Sequence, residues 1–183
     1  MKDWATQLDE ITEQFIANFC SLSQEQLNWK PNSQTWSIAQ NIDHLIVVNE
    51  TYYPVLTSLK DGTYKTPFIA KAGFIVSFLG KTVLNAVKPD RKKKMKTIPV
   101  WEPAVSKAKY NILNQFEKHQ TELKLRIEAS KELVEKGTVI SSPANRNIVY
   151  KLETAYDIIV THEQRHLEQA KEVLQLLTNN TSC

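Results

Sequence analysis

Cysteine is nearly missing from this chain: Cys20 falls inside a helical apolar pattern and Cys183 is the last residue. Neither a disulfide framework nor a C-x-x-C metal clip is therefore expected. Glycine is scarce as well, at four in 183 residues, and period-two alternation of apolar residues is rare, which favours helix over sheet. Long apolar runs are absent too. The stretch between Lys71 and Lys81 is far short of the about 20 residues that span a bilayer, and no apolar signal core follows Met1-Lys2-Asp3-Trp4. Secretion is not expected, and a reducing cytoplasm is. Nor does one sign of charge dominate the chain as a whole. The net charge is +3, but six basic residues and one acid between Lys88 and Lys96 make a local +5, leaving the remainder near −2. A charge run of this kind reads as a solvated loop, so neither nucleic-acid nor membrane contact is expected. At 42% hydrophobic and 23% charged residues, the chain reads as one globular domain over residues 1–183.

What is present is helical periodicity. Trp4, Leu8, Ile11, Phe15, Phe19 and Leu22 recur at spacings of three and four and predict a first helix over 3–22. Ser23 to Gln26 reads as a short polar connection, followed by a loop pinned by Leu27 and Trp29 and stopped from being helical at Pro31. Ser37-Ile38-Ala39-Gln40 has the form of a capping box, with Trp36 placed as a hydrophobic staple. It predicts a second helix over 37–60. Stripes through Val105 to Ile127 and through Ile148 to Leu177 predict helices over 104–135 and 147–178. The crossover 61–103 is expected to be partly helical, with a covering helix over Ala70 to Val87; an interfacial membrane helix is its alternative reading. Four long amphipathic helices in one chain imply an all-α four-helix bundle. The long connection between helices 2 and 3 permits a crossing of the full bundle and an up-down-down-up topology.

Within the last helix stand His162 and His166, four residues apart on the apolar stripe. Helical spacing puts both rings on one face, one turn apart. Two buried imidazoles side by side need a shared partner, and neutral imidazole is a common ligand of zinc and nickel. A third ligand would have to come from another helix, and the histidines available are His44, at the edge of the second stripe, and His119, squarely on the third. The segment His162 to His166 also spells the H-E-x-x-H of zinc proteases. That reading fails on its surroundings: only 17 residues follow His166 and no G-x-x-H occurs among them. Glu163 is accordingly expected on the surface.

These residues, taken with Leu27, Trp29, Pro31, the block Trp36-Ser37-Ile38-Ala39-Gln40 with His44-Leu45, and the block His162, Arg165-His166-Leu167, Gln169, resemble the DinB/YfiT-like superfamily. The resemblance covers all four helices and implies the up-down-down-up bundle with a three-histidine site for a divalent metal such as zinc or nickel. Carried over residue by residue, the ligands are His44, His162 and His166, and His119 takes a packing or supporting role.

Characterised members resemble S-transferases that use bacterial low-molecular-weight thiols such as bacillithiol or mycothiol. The resemblance thus implies a thiol-dependent transferase acting on a small-molecule substrate, with the thiol as cosubstrate and no catalytic use of Cys20 or Cys183. Metal-dependent hydrolysis is the second reading. A non-catalytic, stress-related binding protein is the third, with the apolar 68–79 stretch as a partner or homodimer interface.

Overall fold

The computed structural model describes residues 2–89, 101 and 110–181. Among these the elements run α1 (Trp4–Phe19), α2 (Gln24–Asn28), α3 (Ile38–Glu50), α4 (Tyr53–Lys60), a 3-10 turn (Phe68–Lys71), α5 (Gly73–Ala86), α6 (Ile112–Glu128), α7 (Lys131–Glu135), β1 (Val139–Ser142), β2 (Asn145–Lys151) and α8 (Leu152–Thr181). The expected four-helix bundle is present, formed by α1, α3, α6 and α8, with α1 and α3 each packed on both α6 and α8.

Side-chain contacts fix the directions. Asn41 meets His166 while Asn49 meets Glu163, so α3 and α8 are antiparallel. Trp4 reaches Asp157 while Gln14 reaches Lys171, so α1 and α8 are parallel. Asp9 pairs with Lys124 and Phe15 packs on Phe116, so α1 and α6 are antiparallel. The order is up-down-down-up. Its core is apolar and continuous, with Leu8, Phe15, Ile42, Leu45, Phe116, Leu123 and Leu167 all buried.

Several boundaries differ from those the periodicity predicts. The first helix is shorter at both ends than 3–22. The polar connection after it is in fact α2, started by the same device as α3: the Ser23 side chain accepts from the Gln26 backbone N–H, and the Gln26 side chain accepts from the Ser23 backbone N–H. The predicted helix 37–60 breaks into α3 and α4 around Thr51 and Tyr52. Pro54 explains the break, because its ring cannot follow the carbonyl of Glu50 in an unbroken helix and is tolerated only in a first turn. The predicted helix 104–135 is α6 and α7, with 104–109 lying outside the described residues. Most of the basic run 88–96 lies outside them too. The covering helix is α5, three residues shorter at its start and one at its end than Ala70 to Val87.

The largest correction is a β-hairpin. Residues 147–151, predicted to open the last helix, belong to β2, which pairs antiparallel with β1 so that Ile140 faces Tyr150. Gly137, at φ 67°, ends α7 in the left-handed conformation that a residue with a Cβ resists, and so aims the chain into β1. The Thr138 carbonyl then accepts from the Leu152 N–H, so strand passes into α8 without a loop. The spacing of Ile148 from Leu152 matches a helix by coincidence; Ile148-Val149-Tyr150 is a β-branched and aromatic run after a Pro143 turn, which favours strand. α5 lies over this hairpin. Gly80 permits the approach, since a Cβ there would meet Thr154 Cγ2 at 3.1 Å and Tyr150 Cβ at 3.2 Å.

Candidate metal centre

His44 on α3 and His162 and His166 on α8 come together inside the bundle. One nitrogen of each lies within 4.8 Å of the others, and the ring centroids are 5.2 Å apart for His44 and His162, 4.7 Å for His44 and His166 and 4.5 Å for His162 and His166. The edge position of His44 on its stripe therefore points inward, where the residue is buried. The antiparallel packing of α3 on α8 supplies that direction.

Neighbouring acceptors settle which nitrogen of two rings is available. The Trp101 carbonyl can only accept, and it lies 2.7 Å from His44 Nδ1, so Nδ1 carries the proton and Nε2 keeps its lone pair. His166 Nδ1 lies 2.8 Å from Asn41 Oδ1. The Asn41 amide cannot be reversed, because its Nδ2 donates to the Ser37 carbonyl at 2.9 Å. His166 Nδ1 is thus also protonated, and its Nε2 is directed at His162 Nε2, 3.0 Å away. Zinc–nitrogen bonds of about 2.0–2.1 Å at a tetrahedral angle place two nitrogens about 3.4 Å apart, so these two are spaced for one shared ion. Trp36 closes a side of the site. It stacks on His166 at 5.8 Å and tilts on His44 at 4.9 Å, instead of acting only as a staple before α3.

The electrostatics keep all three rings neutral. Burial holds His44 below its ordinary value. Burial, and the repulsion a protonated ring would meet from a protonated His44 and from Arg165, push His162 down to about 3. His166 is held well below its ordinary value by burial, then by His162 and His44. Neutral imidazoles with protons fixed on the outer nitrogens are the form that binds a divalent ion, and the orienting groups, Asn41 and the Trp101 carbonyl, are partners of the kind that metal-bound histidines use. The donor set fits zinc or nickel.

Glu163 is not on the surface, as expected from the sequence, but fully buried. Its Oε1 accepts from Asn49 Nδ2 and its Oε2 from Gln120 Nε2, both at 2.7 Å. Burial pushes its carboxyl up to about 7, with the two amide bonds pulling the other way. His119 belongs to this second cluster and not to the three-histidine group: Asn49 Nδ2 approaches its Nε2 at 3.3 Å, and its Nδ1 lies 3.2 Å from the Tyr53 hydroxyl.

Burial pushes His119 down to about 4. For a base depressed in this way, the stabilising contribution is present above the ordinary value of about 6.5 and is lost as pH falls towards 4. Between pH 7.5 and 5 the wild type is expected to lose about 2 kcal/mol more unfolding free energy than His119→Gln. Urea titrations at the two pH values test this, and equal losses in the two proteins would sink it.

Three supporting residues escaped the sequence reading, and a fourth, Arg165, enters it only as part of the family block. Asn41, Asn49 and Gln120 are buried polar residues on helices, and a buried amide needs a partner; each lies on an inward position, which was the available signal. Arg165, in the H-x-x-R-H block, donates to the Ala86 carbonyl at 3.0 Å. A cation at the last carbonyls of α5 is favourably placed against the helix dipole, and the contact ties α5 to the helix that carries His162 and His166.

Comparison with known proteins bears on the fold and the family. No curated protein matches the chain significantly. Among solved structures, YfiT from Bacillus subtilis, described as a probable metal-dependent hydrolase with an unusual four-helix bundle topology, is similar with a TM-score of 0.57 and 14% identity over 96% of this chain and 86% of that one. At that identity the likeness concerns the fold. The sequence model of the DinB superfamily matches residues 7–170, nearly the whole bundle and all three clustered histidines, and the chain therefore belongs to the DinB superfamily.

Proposed function

We propose that the protein is a metal-dependent enzyme in which His44, His162 and His166 hold a zinc or nickel ion, and that it transfers a low-molecular-weight thiol to a small electrophilic substrate. The observation that supports this best is the convergence of three neutral imidazole nitrogens, with no carboxylate among them. When bound, such an ion acts as a Lewis acid that lowers the pKa of a nucleophile in an open position. The residues of the chain decide which nucleophile is favoured. Three neutral ligands leave the charge of the ion uncompensated. Glu163, the one acid of the H-E-x-x-H segment, has both oxygens engaged by Asn49 and Gln120 and is not placed to take a proton from a nucleophile. A thiol, with an ordinary pKa of about 8.5, needs much less acidification than water at about 15.7. A site in which the segment's own glutamate is engaged elsewhere therefore favours sulfur. Cys20 is exposed and lies outside the cluster, so it does not supply the thiol, and the proposed thiol is a cosubstrate from solution.

Water as the nucleophile is the second reading, and the description of YfiT as a probable metal-dependent hydrolase supports it. The two separate in one assay. The zinc- or nickel-loaded protein is given a chromogenic electrophile with and without a panel of low-molecular-weight thiols that includes bacillithiol and mycothiol. Turnover that requires both ion and thiol is the expected result. Turnover with the ion alone would replace transfer by hydrolysis, and no turnover in either arm would count against both.

A further inference from the structure

The outward face of α5 is uncovered. The helix buries Val76 and Gly80 against the hairpin and α8, yet Phe74 and Phe78, one turn apart on its other side, are 79% and 68% exposed, and Phe68 in the preceding 3-10 turn is 83% exposed. Periodicity reads this stretch as a helix covering the bundle, and that role does not account for three phenylalanines in water. Scattered apolar residues on a surface need no explanation, but a group of large ones close in sequence marks a contact. The charge around them is one-sided. From Gly62 to Pro89 the chain has no acidic residue and four lysines, Lys65, Lys71, Lys81 and Lys88, all exposed. Lys71 Nζ lies 5.0 Å from the centre of the Phe68 ring. Directly after this stretch in sequence come Arg91, Lys92, Lys93, Lys94 and Lys96.

We propose that this face docks on an anionic phospholipid bilayer. α5 would lie in the interface with Phe68, Phe74 and Phe78 at the acyl boundary and the lysines among the headgroups. No helix among the described residues is long and apolar enough to cross a membrane, so the contact is one of lying on the surface, the mode of short helices that combine aromatic and basic residues. Charge selects lipid over a second copy of the chain. A two-fold contact through α5 would set Lys71 and Lys81 against the same residues of the other copy, and like charges oppose that association. An anionic leaflet carries the complementary sign, and each basic residue near it adds to the attraction.

The full chain is mixed with vesicles of phosphatidylcholine alone and of phosphatidylcholine with phosphatidylglycerol, and bound protein is separated by flotation. Binding to the anionic vesicles at least about tenfold above the neutral ones, weakened by salt, is expected. The double variant Phe74→Ser/Phe78→Ser, whose sites are exposed and whose helix content is checked by circular dichroism, should lose about tenfold of that binding or more. Three results would overturn the proposal: no preference for anionic vesicles, undiminished binding by the double variant, or a concentration-dependent dimer in sedimentation that the double variant abolishes. None of these readouts depends on the metal or on turnover.

Discussion

After loading with excess zinc or nickel and desalting, the protein is expected to retain about one divalent ion per chain, and His44→Ala, His162→Ala and His166→Ala are each expected to retain almost none. The effect is large because two nitrogens make a far weaker site than three. His44→Ala is the most telling of the variants, since it leaves the closely spaced pair on α8 intact and removes the ligand that only the tertiary fold supplies. Asn41→Ala should fall between. It leaves three nitrogens but frees the His166 ring that Asn41 Oδ1 orients, and loss of such an orienting partner typically costs about 10- to 100-fold in metal affinity. Stability gives a second readout. An ion at about a thousand times its dissociation constant stabilises by about 4 kcal/mol, which for a chain of this length corresponds to roughly 10 °C in melting temperature. Chelation should lower the wild-type melting point by about that amount and leave His44→Ala unmoved. Full metal retention in all three histidine variants, by elemental analysis, would remove the centre from consideration.

Glu163→Leu is expected to destabilise the fold by about 2–5 kcal/mol, and Glu163→Gln by much less. The difference lies in two amides. Asn49 and Gln120 are buried, each donates to one Glu163 oxygen, and the carbonyl oxygens Asn49 Oδ1 and Gln120 Oε1 have no hydrogen-bond partner among the described residues. Leucine would leave Gln120 Nε2 with no hydrogen bond among the described residues and Asn49 Nδ2 with only its long contact to His119, and each buried polar group stranded in this way costs about 1–3 kcal/mol. Glutamine can accept from one amide and donate to the carbonyl of the other once that amide turns over, which uses acceptors that the wild type leaves idle. Urea denaturation of the metal-free proteins measures the order. Equal losses for leucine and glutamine would show that shape, and not hydrogen bonding, holds this cluster.

The readable and unreadable parts of the chain divide along physical lines. Ser37 and Gln40 start α3 through contacts three residues apart, and His162 and His166 face the same way because a helix turns once in about four residues. Local rules of this kind hold wherever they are applied, and the same capping rule read at Ser23 and Gln26 would have found α2. The hairpin was hidden because Ile148 satisfies the helical spacing as well as the strand pattern, and a period carried back from α8 overran the junction at Leu152. The burial of Glu163 could not be read from α8 alone. It depends on Asn49 and Gln120, which arrive from two other helices and turn an acid that belongs in water into one enclosed by donors. His44 is similar in kind: the apolar stripe put it at an edge, its family block pointed to the site, and the packing of α3 on α8 turned the edge inward.

One helix thus carries two sets of polar anchors, Glu163 held by Asn49 and Gln120 and His166 held by Asn41, and this bears on how α8 finds its place. A stripe of aliphatic residues is indifferent to small displacements: sliding a 30-residue helix along its neighbours by one turn, about 5.4 Å, would still bury alanine, leucine and valine against leucine and isoleucine. Such a slip would also present Leu167 to Asn49 and Gln120 and leave Glu163 among apolar side chains, while Asn41 would lose His166. Each mismatch strands a polar group away from water. The amides and imidazoles therefore act as a key for axial registration, raising the energy of decoy packings that the hydrophobic stripe by itself would accept.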